Sequence, residues 1–258
     1  MADWARRVTA PDFAVEVIAE STPGAAAARN AGLARVATSW VYFFDSDDTM
    51  RPGHCARMAE ALTDEVDIVG WDVEQHLPAG RRRGRFVRRN AHFTNIFDGG
   101  FATQRWCART DLVRSVGGWD AEARIWDDIE LGTRLLTARP RIRRLKGEPT
   151  VDVFYSDESI SNVDWLVRLQ RMAVVLKLLE QHLPADKKHY AAYKAVIAAA
   201  DARRLASHNA DAMARARHIL CGAIDKAPSY RRKALMHFIY NYAARFPRGT
   251  ARILQCFI

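Results

Sequence analysis

Two hydrophobic rhythms divide this chain. In the first part, short apolar runs alternate with turn-forming residues, the pattern of strands interleaved with helices; in the second, apolar positions recur at helical spacing. Residues 13–19 (FAVEVIA) predict a strand, Pro23-Gly24 breaks the chain, and residues 25–37 predict a helix. The run 40–44 (WVYFF) is continuously apolar, as in a strand covered on both faces. Pro52 stands where a helix can begin, residues 53–62 follow at helical spacing, and 66–73 predict another strand.

In the second part Val163, Leu166, Val167, Leu169, Val174, Leu178 and Leu179 form a helical stripe, and alanine-rich segments cover 190–221. Residues 229–245 set Leu235, Phe238, Ile239 and Tyr242 against Arg231, Arg232, Lys233 and Arg245. The expected organisation is an α/β core over 1–161 and a helical region over 162–258. Packing against the core is the expected role of the helices, with interfacial attachment to a membrane as the alternative.

Composition narrows the classes. With 258 residues, 49% hydrophobic and 27% charged, the chain can bury a core, which excludes wholesale disorder. No apolar run approaches the ~20 residues of a membrane span, and no signal-peptide pattern opens the chain. Cys55, Cys107, Cys221 and Cys256 form no CxxC pair, which argues against a disulfide framework or a thiolate zinc site and suits the cytoplasm. The net charge of +9 attracts phosphate-bearing partners, but no nucleic-acid module accompanies it. Arg81, Arg82, Arg83, Arg85, Arg88 and Arg89 crowd one stretch, expected to be a solvated loop; the alternative is a contact for an anionic acceptor or a membrane surface.

Two acidic clusters carry the candidate chemistry. The strand at 40–44 runs straight into Asp45-Ser46-Asp47-Asp48, and three carboxylates at the end of a buried strand repel one another unless a cation offsets them. Asp45 and Asp47 point the same way in an extended chain, so both can face one metal–diphosphate group. The bland alternative is a set of turn and capping residues for the next helix. The second cluster, Trp126-Asp127-Asp128-Ile129-Glu130, follows the Gly117-Gly118 turn and opens a helical stretch, where acids are favoured by the helix dipole in any case.

The stretch from Gly24 to Met50, GAAAARNAGLARVATSWVYFFDSDDTM, resembles the Ala-Arg-Asn-x-Gly helix, apolar strand and Asp-x-Asp-Asp motif of glycosyltransferase family 2. VGGWDAEARIWDDIELGTRL, from Val116 to Leu135, is similar to the family's Gly-Gly-Phe-Asp segment and its following Glu-Asp motif, here Asp127-Asp128. SDESIS, from Ser156 to Ser161, resembles the segment that closes the site, with Ser156 where many relatives carry a histidine and Asp157 beside it.

The resemblance implies a GT-A (Rossmann-like) core for nucleotide-sugar binding, shortened at its amino end relative to the family pattern. It implies inverting transfer of a sugar from a nucleotide sugar, UDP-sugar foremost, to a glycan or polyol hydroxyl in cell-surface polysaccharide or glycan synthesis. Peripheral contact with the inner face of the membrane is a further option. Asp47, supported by Asp48, would ligate Mn²⁺ or Mg²⁺ on the donor diphosphate. Asp45 would meet the ribose or the hydrated metal, Arg29 and Asn30 would line the nucleotide pocket, and Asp128 would be the general base.

Two other readings compete. One is a shortened, non-catalytic relative of the transferases. The other takes VYFFDSDDTM as the opening of a haloacid-dehalogenase-type phosphatase, with Asp45 as nucleophile; that chemistry wants a lysine between the acidic clusters, and none occurs before Lys146.

Overall fold

The computed structural model describes residues 14–155, 164–247 and 249–258. The predicted segment 156–161 lies outside them. Residues 14–19 form no strand: their side chains are almost all exposed, and no described strand pairs with them.

α1 (Ala25–Arg35) starts at Gly24, whose φ of 129° is readily adopted only by glycine, and runs through alanines of high helix propensity. It stops two residues short of the expected end. Arg114 Nη2 donates to the carbonyls of Leu33 (2.9 Å) and Val36 (2.6 Å), satisfying acceptors that the helix leaves open. β1 (Trp40–Tyr42) is shorter than the apolar run, although Phe43 continues inward. Val41 and Phe43 join one core cluster with Ala26 and Leu33, while Trp40, Tyr42 and Phe44 pack against another, so the run is covered on both faces as predicted.

After β2 (Thr49–Met50) and α2 (His54–Ala59), the predicted strand 66–73 proves to be two strands: β3 (Ile68–Gly70) and β4 (Val73–Leu77) belong to different sheets. The break is built in. A Cβ on Gly70 would fall 2.2 Å from the Phe86 ring, and buried Asp72 turns to accept from Phe86 N (3.0 Å) and from Arg83 and Arg144. β5 (Gly80–Gly84) replaces the first half of the expected arginine loop. It forms a hairpin with β4, His76 opposite Arg81 and Glu74 opposite Arg83, because alternation sends consecutive arginines to opposite faces of an edge strand.

α3 (Ala91–Asp98), β6 (Trp106–Arg109), α4 (Thr110–Ser115), α5 (Asp127–Thr137), β7 (Ile142–Arg144) and β8 (Val151–Phe154) complete the α/β core. One sheet has the order β1-β6-β3-β7, with β6 antiparallel to both neighbours and β3 parallel to β7. The other has the order β2-β8-β4-β5, with only β8 and β4 parallel.

The second part is helical, as predicted: α6 (Trp165–His182), α7 (His189–Leu205), α8 (Ala210–Asp225), α9 (Tyr230–Arg245) and α10 (Thr250–Gln255). Asp164, Asn209 and Ser229 cap α6, α8 and α9 through their side chains. Buried Ala195, Ala198, Ala199 and Ala202 let α7 approach its neighbours closely, and this core is continuous with Phe93, Ile96 and Ile129 of α3 and α5. On α9 the apolar stripe divides: Ile239 turns inward with Met236 and Ala243, while Phe238 stays exposed. No described helix is long and apolar enough to cross a membrane.

Candidate active site

The turn after β1 brings Asp45, Asp47 and Asp48 together, with potential ligand atoms all within 4.8 Å of one another. Their surroundings differ. Asp45 accepts from Arg29 Nη2 (2.8 Å) and Gln104 Nε2 (2.6 Å). Asp48 is buried and accepts from the backbone N–H of Phe154 in β8 (2.9 Å). Asp47 is exposed and makes no hydrogen bond or ion pair among the described residues. Burial pushes the Asp48 carboxyl up to about 6, and the charges of Asp47 and Asp45 push the same way. Hard oxygen donors, one unpaired and one resisting ionisation, are a set that a divalent cation fits.

α5 begins at Trp126, which takes the left-handed φ of 56°, a costly conformation for a bulky residue. Asp127, in the first turn, accepts from Arg29 Nη1 at 2.7 Å. Arg29 therefore bridges the two acidic clusters, and its guanidinium lies 4.3 Å from the centre of the Trp119 ring. Asp128 is partly buried and accepts from Ile129 N (2.8 Å). Burial raises its carboxyl to about 6; Asp127 adds to the rise, whereas Arg105 and Lys194 oppose it.

Asn30 is tied to the turn at Gly117-Gly118-Trp119. Its amide donates to Trp119 O (2.8 Å) and accepts from Trp119 N (2.9 Å). The side chain braces the turn that carries the ring beneath Arg29. The turn needs glycine: Gly118 has φ 67°, and a Cβ there would fall 2.6 Å from Asn30 Oδ1.

Three residues that sequence reasoning missed complete the surroundings. Gln104 holds Asp45 with its side chain, while its carbonyl accepts from Tyr42 Oη (3.1 Å) and Trp71 Nε1 (2.8 Å). Arg105 is buried, donating to Gly99 O (2.7 Å) and Arg85 O (3.1 Å); burial lowers its pKa to about 10. Lys194 of α7 donates to Ile96 O (2.6 Å) with its ammonium 4.4 Å from the Trp126 ring centre, and burial pulls it down to about 8. No motif marks Lys194, a single lysine in an alanine-rich helix.

A second group, Glu74, His76 and Asp152, also gathers its ligand atoms within 4.8 Å. Arg51 already pairs with both of its carboxylates and holds Asp152 down at about 2, so a guanidinium stands where a cation would. Ser156 and Asp157 lie outside the described residues.

The sequence model of glycosyl transferase family 2 matches residues 2–118. Those residues belong to glycosyltransferase family 2. The fold is shared with solved structures at low identity. S. aureus TarS 1–349 in complex with UDP-GlcNAc has 14% identity and a TM-score of 0.59, over 85% of this chain and 67% of that one. S. aureus TarS has 15% identity and a TM-score of 0.53, over 91% of this chain. The chain spans 43% of the length of that TarS structure. Among curated proteins none matches the sequence. The glycosyltransferase core is thus of the GT-A type, and its second acidic cluster, beyond the matched stretch, reaches the first through Arg29.

Proposed function

We propose that this glycosyltransferase moves a sugar from a nucleoside-diphosphate sugar, UDP-sugar foremost, to a hydroxyl of a glycan or polyol, with inversion, in cell-surface polysaccharide or glycan synthesis. The observation that carries the reading is the Arg29 bridge, which makes one site of the Asp45–Asp48 turn and the Asp127–Asp128 helix start. TarS, which shares the fold, was solved with UDP-GlcNAc and with UDP.

Asp47 and Asp48, with Asp45, would hold Mn²⁺ or Mg²⁺, which supplies neutralisation of the charge developing on the leaving diphosphate. Arg29 holds Asp45 turned toward that group. Asp128 takes the proton from the acceptor hydroxyl as the oxygen attacks the anomeric carbon. A carboxyl raised to about 6 is ionised at neutral pH yet a stronger base than an ordinary aspartate. Arg105 and Lys194 stop the rise from going further.

The test combines donor binding with turnover. Thermal shift against UDP, GDP, CDP and dTDP, each with and without Mn²⁺, identifies the donor class, and the shift disappears in Asp47→Ala. Asp128→Asn keeps the shift but loses about 10²–10⁴-fold in sugar transfer. The reading fails if no nucleotide raises the melting temperature, or if Asp128→Asn transfers sugar at the wild-type rate.

A further inference from the structure

Beside Arg105, the elements β5, α3 and α10 line an open cavity of about 550 Å³ whose arginines are exposed to solvent. Its walls carry Arg82, Arg83, Arg85, Arg88 and Arg252 against a single acid, Asp98. Only part of this charge is compensated. Arg83 pairs with Asp72 (2.9 Å), and Arg82 donates to the neutral Gln75 (2.9 Å). Arg85, Arg88 and Arg252 form no ion pair among the described residues. Burial lowers the pKa of Arg88, with Arg85 and Arg144 adding repulsion, and burial raises that of Asp98. Crowded guanidinium groups facing one reluctant carboxylate favour the binding of an anion. Their planar donor forks match phosphate oxygens, and the volume lies in the range of sites built for a bound molecule.

The cavity lies against Arg105, which acts electrostatically on the proposed base. A Cβ on its wall residue Gly84 would fall 2.6 Å from Arg105 Nη2. Arg105 and Lys194 both act electrostatically on Asp98 in the cavity wall and on Asp128. We infer that this arginine-lined cavity binds the phosphate groups of a phosphate-bearing acceptor and brings that acceptor to the side of Asp128. The inference rests on the sugar-transfer reading, in which the donor diphosphate belongs to the Asp45–Asp48 turn; phosphate in the arginine cavity then comes from the second substrate. A concave site suits a soluble chain of phosphates better than the flat face of a bilayer.

The probe is inorganic tripolyphosphate, titrated calorimetrically into the full chain carrying Asp47→Ala, in EDTA, so that metal-dependent binding at the donor site does not contribute. Tripolyphosphate is expected to bind, and Arg85→Gln with Arg88→Gln to weaken it by about tenfold or more. A control pair on other helices, Arg217→Gln with Arg231→Gln, changes it by less than about twofold, as distant exposed charges are screened. If the Arg85/Arg88 pair melts early, Arg252→Gln alone takes its place and is expected to weaken binding in the same direction. The inference is overturned if tripolyphosphate does not bind, or if the control pair weakens it as much as the cavity pair. It is also overturned if phosphatidylglycerol vesicles bind through Arg85 and Arg88 while tripolyphosphate does not, which assigns the cavity to lipid. Because no nucleotide or metal enters the titration, failure of the donor thermal shift sinks the transfer reading separately.

Discussion

The ammonium of Lys194 lies 4.4 Å from the centre of the Trp126 ring, so a helix of the second part of the chain touches the residue that opens α5. Trp126 is held in a left-handed conformation two residues before Asp128. Removing the ammonium in Lys194→Met takes away a positive charge that opposes the rise of the Asp128 carboxyl. The rising limb of the pH–rate profile is then expected to move upward, by roughly one unit or less, since one unit corresponds to about 1.4 kcal/mol of interaction. Lys194→Arg restores most of it. An unmoved limb in Lys194→Met shows that the lysine only packs.

The Asp128 carboxyl, raised to about 6 by burial, makes a stability prediction whose sign can be worked out. Between the unfolded pKa near 4 and the folded value, the folded state binds the proton more tightly, so stability falls as pH rises through that window. Asp128→Asn removes the charge that burial disfavours. Its melting temperature is expected to exceed that of the wild type at pH 7 by a few degrees, at about 2–4 °C per kcal/mol for a chain of this size, and the gain shrinks toward pH 4. Calorimetric scans at the two pH values check this; an equal gain at both shows that charge is not the cause.

Asn30 makes both of its hydrogen bonds to the backbone of Trp119. Asn30→Ala leaves that N–H and C=O without partners and is expected to destabilise the protein by about 2 kcal/mol. Gly118→Ala is expected to be worse than an ordinary surface change, through the positive φ and the contact with Asn30 Oδ1. Denaturant titration reads both. Nucleotide binding that falls in proportion to stability supports a bracing role, whereas loss of binding with stability intact assigns Asn30 to the ligand.

Arg29 forks between Asp45 and Asp127. Arg29→Lys keeps the charge but cannot span both carboxylates, so it should lose nearly as much turnover as Arg29→Ala, roughly 10–100-fold as for residues that orient a metal's ligands. Full activity in Arg29→Lys would show that only charge is needed there.

The elements most legible in the sequence are those whose cause is local. The apolar run at Trp40–Phe44 announces a strand covered on both faces, the acids at 45–48 mark its end, and helical spacing defines the second part. Local periodicity could not show that 66–73 breaks into two sheets, because the break comes from Phe86 pressing on Gly70 and from arginines distant in sequence converging on Asp72. Nor could it show that part of the arginine stretch pairs as β5, since consecutive arginines on an edge strand read like a solvated loop. The carboxylates of the site could be read from residue type and order, but the groups that set their protonation could not. Arg29, Gln104, Arg105 and Lys194 act on them through space, and the electrostatic work of a charge depends on distance and burial, which only the folded chain determines.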